Sequence, residues 1–373
     1  MPGNKKCAVA LMCAAMVKKL SWHSLLGEIQ VQEPQYRSGN KVIRPFAQSA
    51  GVQARGCSRR LQRAVTDMGA DLPYARVVEK MREHHGIVIG ESTIRKVTLW
   101  HAQKIHERSQ GLPQGLPNKV APKQIFIAEM DGTMVPTVKI DTNQDDRRKG
   151  KTVQWEEAKV SLAHVQDSKD VVYAATLTGD VDTAGKQLRA CAKKAGFCAG
   201  HQVHGVGDGA PWIAKQFKKQ FGAQSSYLLD FYHVCEYLSS AAKAIENDSA
   251  TQHAWLEKQK DRLKNQGVDT VLNELQSHLE PPETVDENAP VRKCWRYLGE
   301  RQNQLDYKHA IDLGLPIGSG EIESAHRYVI QERLKLPGAW WKDSNAEYML
   351  SLRSSRANGE WAAYWNSNYR YLA

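Results

Sequence analysis

The chain has 373 residues and a formal net charge of +10, from 51 Lys and Arg against 41 Asp and Glu. With 41% hydrophobic residues a packed core is easily built, and no apolar stretch is long enough to cross a bilayer, so a membrane-spanning helix is excluded. The seven cysteines form no Cys-x-x-Cys pair, which argues against a disulfide framework and favours a reducing compartment.

Residues 1–50 carry two weak signals. An apolar run at 7–17 lies between two lysine pairs and mimics a signal peptide, but it is short, so we expect a cytoplasmic protein. Residues 27–36 and 38–46 predict two short strands around a turn.

Residues 51–118 are predicted to be helical. Leu72 to Arg82 has the spacing of an amphipathic helix, residues 86–90 form a tight connection, and a second helix begins at Glu91. This is the helix-turn-helix pattern, which predicts DNA binding. An ordinary helical hairpin fits equally well. The Pro/Gly-rich residues 110–118 predict a linker.

The pattern then changes to an α/β order with a mixed sheet. Residues 119–235 form the first part of this predicted core, 236–316 a helical insertion, and 317–373 its C-terminal part. The predicted strands are 124–130, 158–165, 171–177, 201–206 and 226–229, and the predicted helices between them are 183–195 and 210–221.

Three acidic motifs occur in this part: Asp131-Gly-Thr, Gly207-Asp208-Gly-Ala-Pro-Trp and Gly318-Ser-Gly-Glu-Ile-Glu323-Ser. The first two acids end strands and the third opens a helix. Carboxylates that a fold gathers from distant positions are the oxygen ligands that Mg²⁺ needs, and paired ions catalyse phosphoryl transfer. Glu321 and Glu323 are two residues apart, so only one of them reaches such a site.

Each acid also has a purely structural interpretation. Asp131 is a turn former at a strand end, and Asp208 caps the helix that Pro211 begins. Glu321 and Glu323 are acids of a first helical turn, which the helix dipole favours.

Basic residues cluster at 55–63, 147–151, 215–219 and 327–335, and together they predict a surface that tracks phosphates. Trp212 either stacks on an unpaired base or packs in the core. The candidate DNA-binding side chains are Trp212, Arg327, Arg333, Lys335, Arg147, Arg148 and Lys149.

Over about residues 55–370 the three motifs, with Asp230-Phe-Tyr-His233, resemble those of DDE transposases of the Mutator-like bacterial insertion-sequence group, the Kra-type family. The resemblance implies an RNase H-like catalytic core with an all-helical insertion, preceded by a helical DNA-binding region. It also implies metal ligands at Asp131, Asp208 and Glu323, with Glu321 as the alternative third acid.

The same resemblance implies a catalytic role for His233, three residues after Asp230. The alternative is a local hydrogen-bonded pair. Relatives carry a zinc ribbon near the N-terminus, and residues 27–46 resemble such a ribbon without its cysteines, so metal binding there is doubtful.

The function implied is a DNA transposase that uses Mg²⁺, or Mn²⁺, to cut insertion-sequence ends and join them to target DNA. We expect a nucleoid-associated homodimer or larger assembly on DNA and no membrane partner. Two alternatives stay open. One is another RNase H-fold nuclease such as a junction resolvase, and the other is a non-catalytic DNA-binding protein from a decayed element.

Overall fold

The computed structural model describes residues 14–38, 41–50, 56–109, 124–141, 143 and 150–367. The chain divides into two compact units, one formed by residues 1–111 with 359–373 and the other by residues 112–358.

The first unit combines a small sheet with helices. Its three strands pair antiparallel in chain order, so the sheet has one strand more than the sequence predicted. The missed strand is the first, which continues the signal-peptide-like run. The elements are β1 (Ala14–Ser24), β2 (Gly27–Ser38), β3 (Lys41–Ile43), α1 (Pro45–Ser49), α2 (Arg59–Asp71), α3 (Tyr74–His85), α4 (Glu91–Ser109) and α15 (Trp361–Ser367).

Local sequence signals explain where these helices begin and end. The Ser58 hydroxyl caps α2 by accepting from the Leu61 backbone N–H. Helix α3 ends at Gly86, whose φ of 63° lies in the left-handed region that glycine adopts without strain. The predicted pair of helices with a tight connection is therefore present as α3 and α4.

The second unit is built on a mixed five-stranded sheet, so the predicted α/β class is confirmed. The strand order is β6-β5-β4-β7-β8, and β4 pairs antiparallel with β5 and parallel with β7. The elements are β4 (Ile125–Ile140), β5 (Lys151–Val165), β6 (Val172–Thr176), α5 (Val181–Lys194), β7 (Gln202–Gly207), α6 (Pro211–Phe221) and β8 (Ser225–Leu229).

Strands β4 and β5 are longer than the hydrophobic pattern predicted. Strand β4 continues through Asp131 and Gly132 to a second buried stretch at Val135–Thr137, and the first half of β5 is partly exposed. One apolar cluster joins the sheet to α5 and α6 through Phe126, Leu188 and Phe217. A second cluster joins the sheet to the helices that follow β8.

The residues after β8 are mainly helical, in the region where the sequence predicts a helical insertion. The helices are α7 (Phe231–Ile245), α8 (Ser249–Asn265), α9 (Val268–Gln276), α10 (Pro290–Gly299) and α11 (Tyr307–Asp312).

The third acidic motif opens a helix, as the sequence predicts, but that helix does not continue regularly. A π-helical turn, His326–Gln331, separates α12 (Gly320–Ala325) from α13 (Glu332–Leu334), and α14 (Asp343–Ala357) follows. Apolar spacing alone does not distinguish a π-helical turn from a continuous α-helix. Such turns recur at functional sites.

Across the described parts of the chain, no helix has both the length and the apolar character needed to cross a membrane.

Candidate functional site

Asp131 and Asp208 lie side by side at the centre of the sheet. The parallel pairing of β4 with β7 places Glu129 opposite Val206, and each acid comes two residues after that pair. Neighbouring strands are about 4.8 Å apart. The structure therefore brings together two of the predicted acids. Asp208 follows the end of β7 as predicted, whereas Asp131 lies in the middle of β4, which continues to Ile140.

Asp230 extends this row by one strand. It follows β8, whose Leu229 pairs with Gly207, and its backbone N–H donates to the Gly207 carbonyl. Its carboxylate is shared between two elements: Oδ1 accepts from the backbone of Tyr232 at 2.6 Å, and Oδ2 accepts from the backbone of Ser319 at 2.6 Å. Asp230 therefore fastens the Gly318-Ser-Gly loop to the end of β8, next to the strand that leads to Asp208.

The third predicted acid reaches the site on α12. A buried residue, Glu129, holds this helix: its Oε2 accepts from the Ile322 backbone N–H at 2.8 Å. Glu129 and Asp131 lie on the same face of β4, because side chains alternate along a strand. Glu323 follows Ile322 and is exposed, and its charge acts on both Glu129 and Asp131.

Glu321 has a different partner. Its carboxylate lies 2.7 Å from Nε2 of His164, a buried residue of β5. Burial alone would lower the pKa of His164, but Glu321 outweighs it and raises that pKa above its ordinary value. Of the two candidate third acids, Glu323 is therefore the one whose charge acts on Asp131.

The electrostatics of the site are those of crowded carboxylates. Burial raises the pKa of Asp131 from 3.8 to about 7, and the charges of Asp208, Glu323 and Glu157 add to the effect. Burial likewise raises the pKa of Glu129 to about 8, with Glu321, Asp230 and Glu323 contributing. Burial and neighbouring negative charge therefore both favour the protonated form of these two carboxyl groups.

His326 lies against Asp131 and Lys335 contacts Thr133 nearby, and the sequence predicted a role only for Lys335. His326 is 4% exposed, and its Nε2 lies 3.6 Å from Asp131 Oδ2. Burial and the nearby Lys335 lower the pKa of His326 to about 4, although a hydrogen bond to the backbone of Asp131 acts to raise that pKa. Lys335 donates from Nζ to Thr133 Oγ1 at 2.6 Å. The sequence signal for His326 was its position three residues after Glu323, on the same helical face.

Protein side chains fill the space beside the glycines that flank the acids. A Cβ on Gly132 would lie 2.3 Å from Glu157 Oε1. Gly209 has φ +86°, and its Cβ would lie 2.5 Å from the Tyr297 hydroxyl. That hydroxyl donates to the backbone carbonyl of Asp208 at 2.9 Å, so Gly209 allows Tyr297 to brace the second acid.

His233 lies in the first turn of α7. Its backbone N–H donates to Asp230 Oδ1 at 3.0 Å, so the two residues form a helix cap through the backbone. Its ring contacts Tyr237 and Tyr297, and its Nδ1 lies 3.6 Å from Glu236.

The predicted DNA-binding side chains have different environments. Arg327 is exposed, whereas Arg333 is 3% exposed and stacks over the Trp341 ring, so Arg333 does not face solvent. Trp212 is half-buried against the cluster beside α5 and α6. Arg147, Arg148 and Lys149 lie outside the described residues.

The donor chemistry of the site suits Mg²⁺, because carboxylate oxygens are its preferred ligands and the crowded negative charge needs a cation. The side chains do not yet converge on one point: within the described ranges, no three His, Cys, Asp or Glu side chains are grouped closely enough to hold a metal ion. Asp131, Asp208 and Glu323 are the residues that would supply its ligands, and of these Glu323 is exposed.

The fold and site define an α/β protein with an acidic centre on the interior strands of its sheet. Residues 199–366, just under half of the chain, match the model of UPF0236, an uncharacterised protein family. The "UPF0236 protein in vanSb 3'region" of Streptococcus gallolyticus is 28% identical over 165 residues, which are 44% of this chain and 35% of that protein. The match thus spans about a third of that relative's length.

Among solved structures, "Crystal structure of NurA with manganese" is similar over 74% of this chain and 64% of that one. The identity is 13% and the TM-score is 0.12, which is too low to support an argument about fold.

These findings correct the family assignment made from the motifs. The resemblance to Mutator-like insertion-sequence transposases is wrong, because the matches are to an uncharacterised family and the named relative has no transposase description. Short motifs built on Asp-Gly and Gly-Ser-Gly also form at ordinary strand ends and helix starts, so they identify a local structure more reliably than a family.

Proposed function

We propose that this chain is a DNA transposase that cleaves DNA strands and transfers them by metal-dependent phosphoryl transfer, with a core of RNase H-like type. The observation that carries the proposal is the position of Asp131 and Asp208 at equal height on adjacent parallel strands, with the charge of Glu323 acting on Asp131. The mixed sheet and the helical block between Asp208 and Glu323 support the finer fold class.

Divalent ions held by Asp131, Asp208 and Glu323 would supply stabilisation of the attacking and leaving oxygens. The chain's own contribution is to hold these acids in place. Glu129 anchors α12 through Ile322, which keeps Glu323 on the face of β4 that carries Asp131.

A nucleic-acid substrate follows from the positive charge beside the acids. Lys335 reaches Thr133, two residues beyond Asp131 on the same face of the strand, and Arg327 is exposed next to His326. Each can neutralise a phosphate close to the reacting one. The net charge of +10 favours a polyanionic binding partner in general. We propose that a dimer or larger assembly of this chain forms on the DNA.

The experiment is strand cleavage by the purified full chain with Mg²⁺ or Mn²⁺. The substrates are a plasmid that carries the DNA flanking its own gene and the same plasmid without it. We expect Asp208→Asn to lower the cleavage rate at least about a thousandfold, by loss of the charge that holds the ions. Asp312→Asn, an identical change at an exposed acid of α11, should leave the rate unchanged.

Full cleavage by Asp208→Asn would contradict the proposal. Cleavage without joining of the cut 3′ end to a second DNA would identify a nuclease such as a junction resolvase. Specific binding that needs no metal, with no cleavage, would identify a DNA-binding protein without catalytic activity.

A further inference from the structure

His326 has the surroundings of a ligand rather than those of a core residue. Its side chain is 5% exposed, and its Nε2 is a buried atom without a hydrogen-bond partner. Buried polar atoms are nearly always satisfied, and an exception needs an explanation.

The direction of this nitrogen supplies the explanation. Nε2 faces Asp131 Oδ2 at 3.6 Å, which is longer than a hydrogen bond of about 2.7–3.2 Å. An ion with ligand bonds of about 2.1 Å separates its ligand atoms by about 3 to 4 Å. The spacing is therefore that of two atoms able to share one cation.

The backbone supports the same interpretation. His326 is the first residue of the π-helical turn that follows α12, and Glu323 lies three residues before it on α12. A π-helical turn alters which side chains share a helical face, and Arg353 fastens this one by donating from Nε to the Val329 carbonyl at 2.9 Å.

We propose that His326 is a nitrogen ligand of the cation that Asp131 holds. The inference rests on the proposed function for the carboxylate site and adds a preference to it. A mixed set of carboxylates and an imidazole suits a transition dication such as Mn²⁺ better than Mg²⁺, which takes oxygen ligands. The chain should therefore bind Mn²⁺ more tightly than Mg²⁺, and His326 should cause much of the difference.

The test is pulsed electron paramagnetic resonance of the full chain with one equivalent of Mn²⁺ in nitrogen-free buffer. We expect nitrogen coupling from a directly bound imidazole, which changes to the ¹⁵N pattern when only the histidines are labelled. His326→Gln should abolish the coupling and weaken Mn²⁺ binding at least about tenfold. Substituting even a residue that only hydrogen-bonds a metal ligand typically lowers metal affinity by about that factor. His253→Gln, at an exposed residue of α8, should change neither.

The labelling arm requires no substitution, so a variant that fails to fold leaves the test intact. Mn²⁺ bound in an Asp131-dependent way without nitrogen coupling would overturn the role of His326 and leave the carboxylate site standing. No Mn²⁺ binding at millimolar concentration would overturn both.

Discussion

At the scale of single residues, Glu129 has the most unusual environment in the site. It is 1% exposed, Oε2 accepts one backbone hydrogen bond, and Oε1 is buried without a partner. Burial and neighbouring carboxylates raise its pKa to about 8, so it is largely protonated at neutral pH. An un-ionised carboxyl anchors α12 without adding to the negative charge around Asp131.

This environment predicts how stability depends on pH. The folded chain binds the Glu129 proton more tightly than the unfolded chain, so the free energy of unfolding falls as pH rises from 4.5 to about 8. One such group lowers the free energy of unfolding by roughly 1.4 kcal/mol per pH unit inside that window. Glu129→Gln keeps the acceptor for Ile322 and cannot ionise, so urea unfolding in EDTA should show a shallower decline.

Glu283→Gln is the control, because Glu283 is exposed and its substitution should leave the decline as steep as in the wild type. An equally steep decline in Glu129→Gln would show that Glu129 is already ionised in the folded chain.

The sequence pattern indicated Asp131, Asp208 and Glu323 because each follows or opens a predicted element, although β4 continues past Asp131. It did not find Glu129, which reads as part of an apolar strand, or His326, whose orientation depends on a π-helical turn. It also assigned Arg333 to DNA, whereas packing on Trp341 buries it. Burial of a charged side chain depends on the tertiary neighbours, which hydrophobic spacing does not reveal.

At the scale of elements, the Gly318-Ser-Gly loop connects the helices that follow β8 to α12. Hydrogen bonds from Ser319 to the Asp230 carboxylate hold this loop, and we call them the Asp230 clamp. The Ser319 backbone and hydroxyl both donate to Asp230 Oδ2, and the Phe231 backbone donates to the Ile317 carbonyl at 2.8 Å. The clamp therefore couples the start of α7 to the start of the helix that carries Glu323.

Ser319→Ala should loosen this clamp. It removes one hydrogen bond from a buried carboxylate, and hydrogen bonds to charged groups contribute about 1.5–3 kcal/mol. We expect the free energy of unfolding in urea to fall by roughly 2 kcal/mol. Ser240→Ala is the matched control, because Ser240 bonds a helical carbonyl on an exposed surface, and its effect should stay within about 0.5 kcal/mol. Equal stability of the two variants would show that the clamp holds nothing.

The elements themselves were largely predictable. Strands β7 and β8 and helices α5 and α6 lie within one or two residues of their predicted bounds, because each has turn residues at its ends. Strand β5 begins at Lys151 instead of the predicted 158, since the hydrophobic residues of its first half, Val153 and Trp155, are interspersed with polar ones and are exposed. Such patterns do not reveal which strands pair. The register that places Asp131 beside Asp208 is therefore visible only in the structure.

At the scale of the whole molecule, the family match and the site cover different parts of the chain. Residues 199–366 include Asp208, Glu323 and His326 but not Asp131, which β4 supplies from outside the matched range. The α3–α4 pair belongs to the other compact unit. The family match therefore contains two of the three acids, and the arrangement of all three comes from the fold of this chain.

The most direct measurement is anomalous diffraction from crystals of the full chain soaked in Mn²⁺. We predict a peak bound by carboxylate oxygens of Asp131, Asp208 and Glu323 at about 2.1 Å, the distance typical of small divalent ions. Peaks that lie only at other surfaces, or three carboxylates that share no ion at saturating Mn²⁺, would contradict the account.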